Sequence, residues 1–249
     1  MKFLFRSVIV CALMVLVQAR ADTLRIGTGN FPPYFDERGT AGLFNDIIRG
    51  VFALMPQHQL VLVPQMSNYR LAHSLNDGTM DGAANIFSAS DIKGCRTDGV
   101  FRFTDVAVTR KDRQLTVASV ADLAGKRVVT YQGAKTFLGP SFAQAVGTGD
   151  DKLYRELAQP LMQARALAQG EADVSVGDLY IFLHSIKILG NPAVRADQFA
   201  IHPLFPDTYS HMAFREQKWC DEFNAALGKF RKSGRYEALY AQTLKALKP

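Results

Sequence analysis

Residues that build metal and nucleophile sites are scarce in this sequence. Among 249 residues there are three cysteines and five histidines, with no cysteine pair at zinc-ligand spacing and no H-x-x-x-H. The nucleophile signature G-x-S-x-G is also missing. The "GTG" at residues 27–29 lacks the third glycine of a dinucleotide fingerprint and runs into two prolines. We therefore expect no metal, no cofactor and no enzymatic activity.

Charge of one sign is not concentrated anywhere in the sequence. Once the first 21 residues are set aside as a leader, 26 Lys and Arg stand against 23 Asp and Glu, a net charge of +3. Because no block of basic residues occurs, nucleic-acid binding has no support. No apolar run after the leader is long enough to span a membrane.

The leader has the pattern of a secretory signal peptide. Lys2 and Arg6 flank the start of the apolar run "VIVCALMVLV", and Ala19 and Ala21 place small residues where signal peptidase reads the chain. A membrane anchor is the alternative, but the run is shorter than the roughly 20 residues that a spanning helix needs. A lipoprotein site at Cys11 is a weaker alternative, because no small residue precedes that cysteine. We expect cleavage after Ala21 and a soluble, monomeric periplasmic protein.

Hydrophobic periodicity predicts two successive sets of strands and helices. The first set has strands at 23–28, 59–64 and 81–87 and helices at 42–55 and 68–78. The second set has strands at 126–131 and 172–178 and helices at 136–146, 157–170 and 179–189, the first of these interrupted by Gly139-Pro140. Two more helices, at 217–233 and 234–247, close the chain. Alternating strands and helices of this kind predict an α/β protein.

The two sets share the pattern L-x-x-G-x-x-D. It occurs as "LNDGTMD" at 75–81 and as "LAQGEAD" at 167–173. In each, the Leu ends a helix face, the Gly provides a left-handed cap and the Asp opens a buried strand. A common helix-to-strand junction explains this as well as a duplication does, but both explanations fit two separate α/β lobes.

Two extended segments are placed to carry the chain between these lobes. Residues 103–117 lack helical periodicity and follow the first set, and residues 207–215 follow the second. The predicted boundaries are therefore 22–106 with 208–249 for the first lobe and 107–207 for the second. Cys95 and Cys220 then fall in one lobe, and in an oxidising compartment two cysteines are more often paired than free. Two unrelated buried thiols are the alternative.

The order of these segments resembles the extracytoplasmic solute-binding proteins of bacterial uptake systems, in the family that includes the polar amino-acid binders. The resemblance covers the whole mature chain. It rests on "LRIGTGNFPPYFDERGTAGLFNDII", "LNDGTMDGAANI", "FTDV", "DLAGKRVVTYQG", "GEADVSVGD" and "LGKFRKSGRYEALY". It implies the two-lobed periplasmic-binding-protein type II fold, with two crossover strands and a ligand held between lobes that close about a hinge.

The resemblance implies a ligand site with an aromatic ring and a carboxylate. Phe31 lies where the family places a stacking ring, with Tyr34 close by, and a ring face attracts a cation. These two rings and Phe35 could instead cap the first lobe's core, and Phe35 is the one that we assign there. Asp178 matches the carboxylate that holds a ligand's amino group, although it could merely cap the helix beginning at Leu179.

The part of the site that would hold a ligand's carboxylate departs from the family pattern. Arg96 is our first choice because a guanidinium grips a carboxylate bidentately, with Lys93 and Arg102 as competitors and a solvated surface charge as the alternative for each. The remaining predicted ligand contacts are Asn85, Ser88, Lys135 and Thr136. Lys135 and Thr136 stand at a strand-to-helix turn, where free N–H groups favour anions.

The leading hypothesis is a binding protein that captures a small amino-acid-like solute and delivers it to the membrane permease of an ABC transporter. An enzyme on the same fold, similar to the periplasmic prephenate and arogenate dehydratases, is an alternative that would need a general acid such as Asp178 or Glu171. A sensor that reports its ligand to a membrane kinase is a second alternative.

Overall fold

The computed structural model describes residues 22–36, 38–147 and 153–248. The predicted signal peptide, with its cleavage site after Ala21, lies outside the described residues. Within the described ranges no helix combines the length and apolar character needed to cross a membrane.

The first lobe contains a five-stranded mixed sheet. Its elements are β1 (Asp22–Gly27), α1 (Leu43–Phe52), β2 (His58–Val63), α2 (Asn68–Asn76), β3 (Gly82–Ile86), β4 (Cys95–Phe103), β10 (Thr208–Phe214), α7 (Gln217–Lys232) and α8 (Arg235–Leu247). The strand order is β2-β1-β3-β10-β4, with β1 parallel to β2 and β3, and β10 antiparallel to both of its neighbours. The sequence did not predict β4.

The second lobe also contains a five-stranded mixed sheet, whose strands are mostly shorter. Its elements are β5 (Asp105–Arg110), β6 (Val128–Thr130), α3 (Ala134–Phe137), α4 (Pro140–Ala145), β7 (Tyr154–Glu156), α5 (Pro160–Ala168), β8 (Val174–Asp178), α6 (Leu179–Ile188) and β9 (Phe199–His202). The strand order is β7-β6-β8-β5-β9. Gly139 and Pro140 divide the predicted 136–146 helix into α3 and α4, because proline cannot donate within a helix but is well tolerated at the first position of a new one.

The chain passes between the two sheets twice, and the two passages touch. Thr104 alone separates β4 from β5, and Asp207 lies between β9 and β10. The Thr104 hydroxyl donates to the Asp207 carboxylate at 2.8 Å. Arg102 reaches the same carboxylate at 3.8 Å. The hinge is therefore a pair of cross-linked strands, as the two-lobed fold requires.

The two L-x-x-G-x-x-D junctions have the same geometry. Gly78 and Gly170 have φ of 79° and 77°, values that glycine adopts without strain. Asp81 accepts the backbone N–H of Arg25 at 2.9 Å, and Asp173 accepts that of Arg127 at 2.9 Å. Each Asp therefore ties the start of its strand to the parallel neighbour.

A disulfide joins Cys95 to Cys220, as the sequence predicts. Cys95 begins β4 and Cys220 lies in α7, 125 residues further along the chain. Because the whole second lobe lies between these two cysteines, the bond links the two separate stretches of chain that build the first lobe.

Aromatic side chains fill the core where the lobes meet. Tyr34 and Phe44 are fully buried and stack at 4.0 Å, and Phe103 packs edge-on to both. From the other lobe, Tyr180 at the start of α6 lies 6.1 Å from the Tyr34 ring and 5.8 Å from Tyr240 of α8. The base of the hinge is thus an apolar cluster to which both lobes contribute.

Candidate ligand site at the hinge

Asp178 is the last residue of β8 and the N-cap of α6. One carboxylate oxygen accepts the backbone N–H groups of Tyr180 and Ile181 at 2.9 and 3.0 Å. The other accepts the N–H of Thr104 in the first crossover at 2.9 Å. The capping role considered from the sequence is therefore present, and the same carboxylate also holds the hinge. Whether Asp178 contacts a ligand stays a prediction.

Asp105 lies directly opposite Asp178. The two residues are partners in the antiparallel pairing of β5 with β8, and paired residues place their side chains on the same face of a sheet. Each is only 8% exposed. The hydrogen bond found at the Asp105 carboxylate comes from the Tyr131 hydroxyl at 3.4 Å, which is long. The structure thus pairs two buried carboxyl groups where the sequence indicated one.

The pair is arranged to hold a proton near neutral pH. Burial, together with the negative charge of Asp178, raises the pKa of Asp105 to about 7. Burial also raises the pKa of Asp178, to about 6, although its N–H donors and the neighbouring Tyr34 hydroxyl oppose that shift. Asp178 has a lower pKa than Asp105 because its carboxylate accepts more and shorter hydrogen bonds, which stabilise the charged form.

The first lobe brings an aromatic loop to this pair. Tyr34 is fully buried, and its hydroxyl makes no hydrogen bond of normal geometry with any residue in the described ranges. It nevertheless lies close enough to Asp178 for burial and that charge to raise the pKa of the phenol. Phe31 is partly buried and stands edge-on to Tyr34 at 6.0 Å and to Phe35 at 5.4 Å. Phe35 is fully buried, as expected, so Phe31 is the most exposed ring of the three.

The second lobe adds its own aromatic wall. Tyr131 follows β6, and its ring lies 6.4 Å from that of Phe137, which is 67% exposed. Tyr131 and the buried Gln163 both flank Gly177, the residue before Asp178. The carboxyl ends of β6 and β8 therefore form one polar and aromatic surface around Asp105, in the position where α/β proteins bind ligands.

The predicted polar contacts of the first lobe are occupied by other protein groups. Asn85 is buried at the end of β3 with φ of 58°, a conformation that asparagine tolerates. Its amide donates to Asn68 at 3.2 Å, and its oxygen accepts from Ser210 at 2.7 Å. Ser88 is exposed and lies 3.2 Å from the His211 ring. Their ligand roles stay predictions.

The predicted cations of the first lobe do not converge on the carboxyl pair. The Arg96 guanidinium donates to the Ser90 carbonyl, although its Nε is buried without a partner. Because a strand rises about 3.3 Å per residue, Arg96 lies roughly 20 Å along β4 from Phe103.

The two competing cations are also placed elsewhere. Arg102 is bound to Glu237 at 3.1 Å and covers the Tyr240 ring at 4.2 Å. Lys93 is exposed in the loop before β4.

The strand-to-helix turn in the second lobe is also occupied. The first free N–H of the turn, at Gly133, donates to the Glu156 carboxylate at 2.9 Å. The Lys135 ammonium donates to the Gly147 carbonyl at 2.7 Å and lies over the Tyr154 ring at 4.2 Å. Thr136 is exposed. A carboxylate of the protein thus occupies the position predicted for an anionic ligand.

Sequence reasoning missed Asp105 and Tyr131 as site residues. Both were inside quoted motifs, "FTDV" and "VVTYQG". The one sequence signal for a site role was the position of each residue in the chain. Asp105 begins the strand after the first crossover, and Tyr131 directly follows a buried strand. In the part of the chain that the structure describes, no three His, Cys, Asp or Glu side chains are grouped so that they could hold a metal ion.

No protein-family model and no curated protein matches this chain. Solved structures do match it. They include the probable amino-acid ABC transporter extracellular-binding protein ytmK from Bacillus subtilis, with TM-score 0.69, 18% identity and coverage of 90% of this chain and 99% of that one. The GluR0 ligand-binding core in complex with L-glutamate has TM-score 0.68, 15% identity and coverage of 90% and 99%.

A third structural match is a histidine kinase sensor domain with similarity to periplasmic binding proteins. It has TM-score 0.59, 20% identity and coverage of 91% of this chain and 98% of that one. Identities this low carry no information about the ligand, but matches over nine-tenths of the chain define its architecture. The chain has the fold of the type II periplasmic binding proteins, with two α/β lobes joined by two crossover strands.

Proposed function

We propose that this chain is a periplasmic solute-binding protein that captures a small amino-acid-like molecule between its lobes and delivers it to the permease of an ABC transporter. The supporting observation is the meeting of Asp105 and Asp178 with the Phe31–Tyr34 loop of the other lobe. A site built from both lobes is the arrangement in which ligand binding can close a hinge. The type II periplasmic-binding-protein fold shared with these structures supports the solute-binding part of the proposal.

Calorimetric titration of the mature protein with amino acids, amines and small organic acids tests the proposal. We expect saturable binding of one chemical class, and a loss of at least about tenfold in affinity for Phe31→Ala, because the ring no longer contacts the ligand. Ile188→Ala, which truncates an exposed apolar side chain on α6, is the control and should bind normally. A folded protein that binds no member of the panel would refute the proposal.

A sensor role is the second candidate, and it is favoured by the similarity to a histidine kinase sensor domain. The same cleft would then report its ligand state to a membrane partner. A permease gene beside the gene for this chain supports transport, whereas a kinase gene there supports sensing.

An enzymatic role is favoured by Asp105, since a buried carboxyl with a pKa of about 7 is suited to general acid chemistry. Glu171, one of the two acids considered from the sequence, is instead exposed beside Arg155 at 3.7 Å. Product formation from prephenate or arogenate would identify an enzyme. Binding of these acids without turnover would argue against one.

A further inference from the structure

The two carboxyl groups of the hinge differ in how many partners they already have. Asp178 accepts three backbone N–H groups at 2.9 to 3.0 Å. From the described residues, Asp105 accepts one long hydrogen bond, donated by Tyr131 at 3.4 Å. An ionised carboxylate has about four acceptor positions, so Asp105 retains free ones that a ligand's donor could occupy. Asp105 is therefore better suited than Asp178 to direct contact with a ligand.

A second observation, at the Tyr34 hydroxyl, indicates that a ligand could add a hydrogen-bonding group beside the carboxyl pair. The Tyr34 hydroxyl is completely buried beside Asp178, and that carboxylate, outside ideal hydrogen-bond geometry, is its partner among the described residues. Buried hydroxyls are nearly always well hydrogen-bonded, so the poor geometry of this one leaves a position for a group of a ligand or for a water. Of the other nearby tyrosines, Tyr131 donates its hydroxyl to Asp105, whereas the hydroxyls of Tyr180 in α6 and Tyr240 in α8 donate to backbone carbonyls.

The groups that would hold a ligand's carboxylate are bound elsewhere. Arg102 of β4 is paired with Glu237 and Asp207. The Lys135 ammonium turns to the Gly147 carbonyl, and Glu156 occupies the Gly133 N–H. The hinge site therefore offers acidic and aromatic groups, which together favour a positive charge.

We propose that the hinge site binds an organic cation through Asp105, and that the bound ammonium or guanidinium group replaces the proton of the Asp105 carboxyl group. The proposal rests on the proposed solute-binding function and narrows its ligand class. The exchange is balanced: the cationic ligand binds to the ionised Asp105, and the displaced proton passes to solvent. A ligand carboxylate is not required, so an amine should bind as well as the amino acid from which it derives.

The test titrates the mature protein with matched probes that differ in one carboxylate. The probes are L-arginine and agmatine, L-lysine and 1,5-diaminopentane. L-glutamine and L-glutamate, zwitterions whose side chains are uncharged and anionic, are the references. Titrations at about pH 7 in two buffers of different ionisation enthalpy also count the protons released on binding. We expect each diamine or agmatine to bind within about threefold of its parent amino acid, or more tightly, and to release roughly half a proton.

Variants locate the effect at Asp105. Asp105→Asn should weaken agmatine or diaminopentane binding by more than about tenfold and abolish proton release. Asp112→Asn, at an exposed carboxylate of the same lobe, is the matched control and should change neither quantity. If Asp105→Asn does not fold, Tyr131→Phe removes the hydroxyl beside Asp105 and should shift the pH midpoint of binding. The proton count of the wild-type protein also remains as an independent measurement.

The outcomes separate this inference from the proposed function. Amino-acid binding with amines bound at least about tenfold more weakly, or binding without proton release, would overturn the cation inference and leave the solute-binding function in place. No binding by any probe, including glutamine and glutamate, would overturn both.

Discussion

The ionisation of Asp105 is disfavoured by its surroundings, and this affects stability as well as binding. Its pKa of about 7 in the folded chain lies above the roughly 3.9 of a free aspartate. The neutral carboxyl is therefore favoured by folding at low pH, and that contribution to stability is lost as the pH rises towards 7.

Asp105→Asn should remove this pH dependence. We expect the variant to equal the wild type near pH 4 and to exceed its free energy of unfolding by roughly 1–3 kcal/mol at about pH 8, because only the wild type must ionise a buried group. Urea denaturation at both pH values measures the difference. Asp112→Asn should give no gain at the higher pH, since the pKa of Asp112 is lowered by Arg110. A parallel pH dependence in the Asp105 variant and the wild type would contradict the assignment.

Asp178 has a structural role that can be separated from any role in binding. Asp178→Ala removes the N-cap of α6 and should lower the free energy of unfolding by about 1 kcal/mol more than Asp178→Asn does, because asparagine caps as well as aspartate. Thermal denaturation of both variants measures this difference. Equal stability of the two variants would mean that the cap contributes little and that the hinge bond to Thr104 dominates.

At the scale of elements, the L-x-x-G-x-x-D junction occurs once in each lobe, so the energetic role of its Asp can be compared between the two lobes. Asp81 and Asp173 occupy equivalent positions, and each also binds an arginine side chain, Arg215 at 2.6 Å and Arg127 at 2.6 Å. Asp81 directly precedes β3 and Asp173 directly precedes β8, at the opposite end of β8 from Asp178.

Asp81→Ala and Asp173→Ala should therefore destabilise the protein by similar amounts, about 1.5–3 kcal/mol each, because each removes hydrogen bonds to a charged group. Chemical denaturation is the measurement, and Asp91→Ala, in an exposed loop, is the control. A loss confined to one junction would show that their common sequence pattern does not have a common energetic role.

At the scale of the whole molecule, the disulfide fixes the discontinuous lobe. It joins β4 to α7 across 125 residues of chain, and cross-links that close long loops restrict the unfolded state strongly. Reduction should lower the free energy of unfolding by about 2–4 kcal/mol. Denaturation with and without reductant measures this loss, and the Cys95→Ala/Cys220→Ala double variant should match the reduced protein. Two free thiols in the unreduced, denatured protein would contradict the bond.

The sequence allowed most of the fold to be predicted, because its signals are local. Helix periodicity, Gly78 and Gly170 as caps, and Pro160 at the first helical position all act within a few residues. Segments without such signals were missed. "CRTDGVFRF" mixes charged and apolar residues without alternation, and it is a strand because β10 pairs along it. Of the extended region 103–117, β5 occupies only Asp105–Arg110, where β8 and β9 pair with it.

The two α/β sets, the two crossings and the pairing of the cysteines could be predicted from the sequence, because each follows from short-range pattern or from counting. The composition of the site, in contrast, depends on contacts between residues that are distant in the sequence. Asp105 and Asp178 are 73 positions apart in the sequence, and their opposition follows from the register of one antiparallel pairing. Long-range packing likewise decides that Tyr34 is buried, that Arg96 lies at the opposite end of β4 from Phe103, and that the Lys135 ammonium donates to the Gly147 carbonyl. No local sequence pattern encodes these contacts.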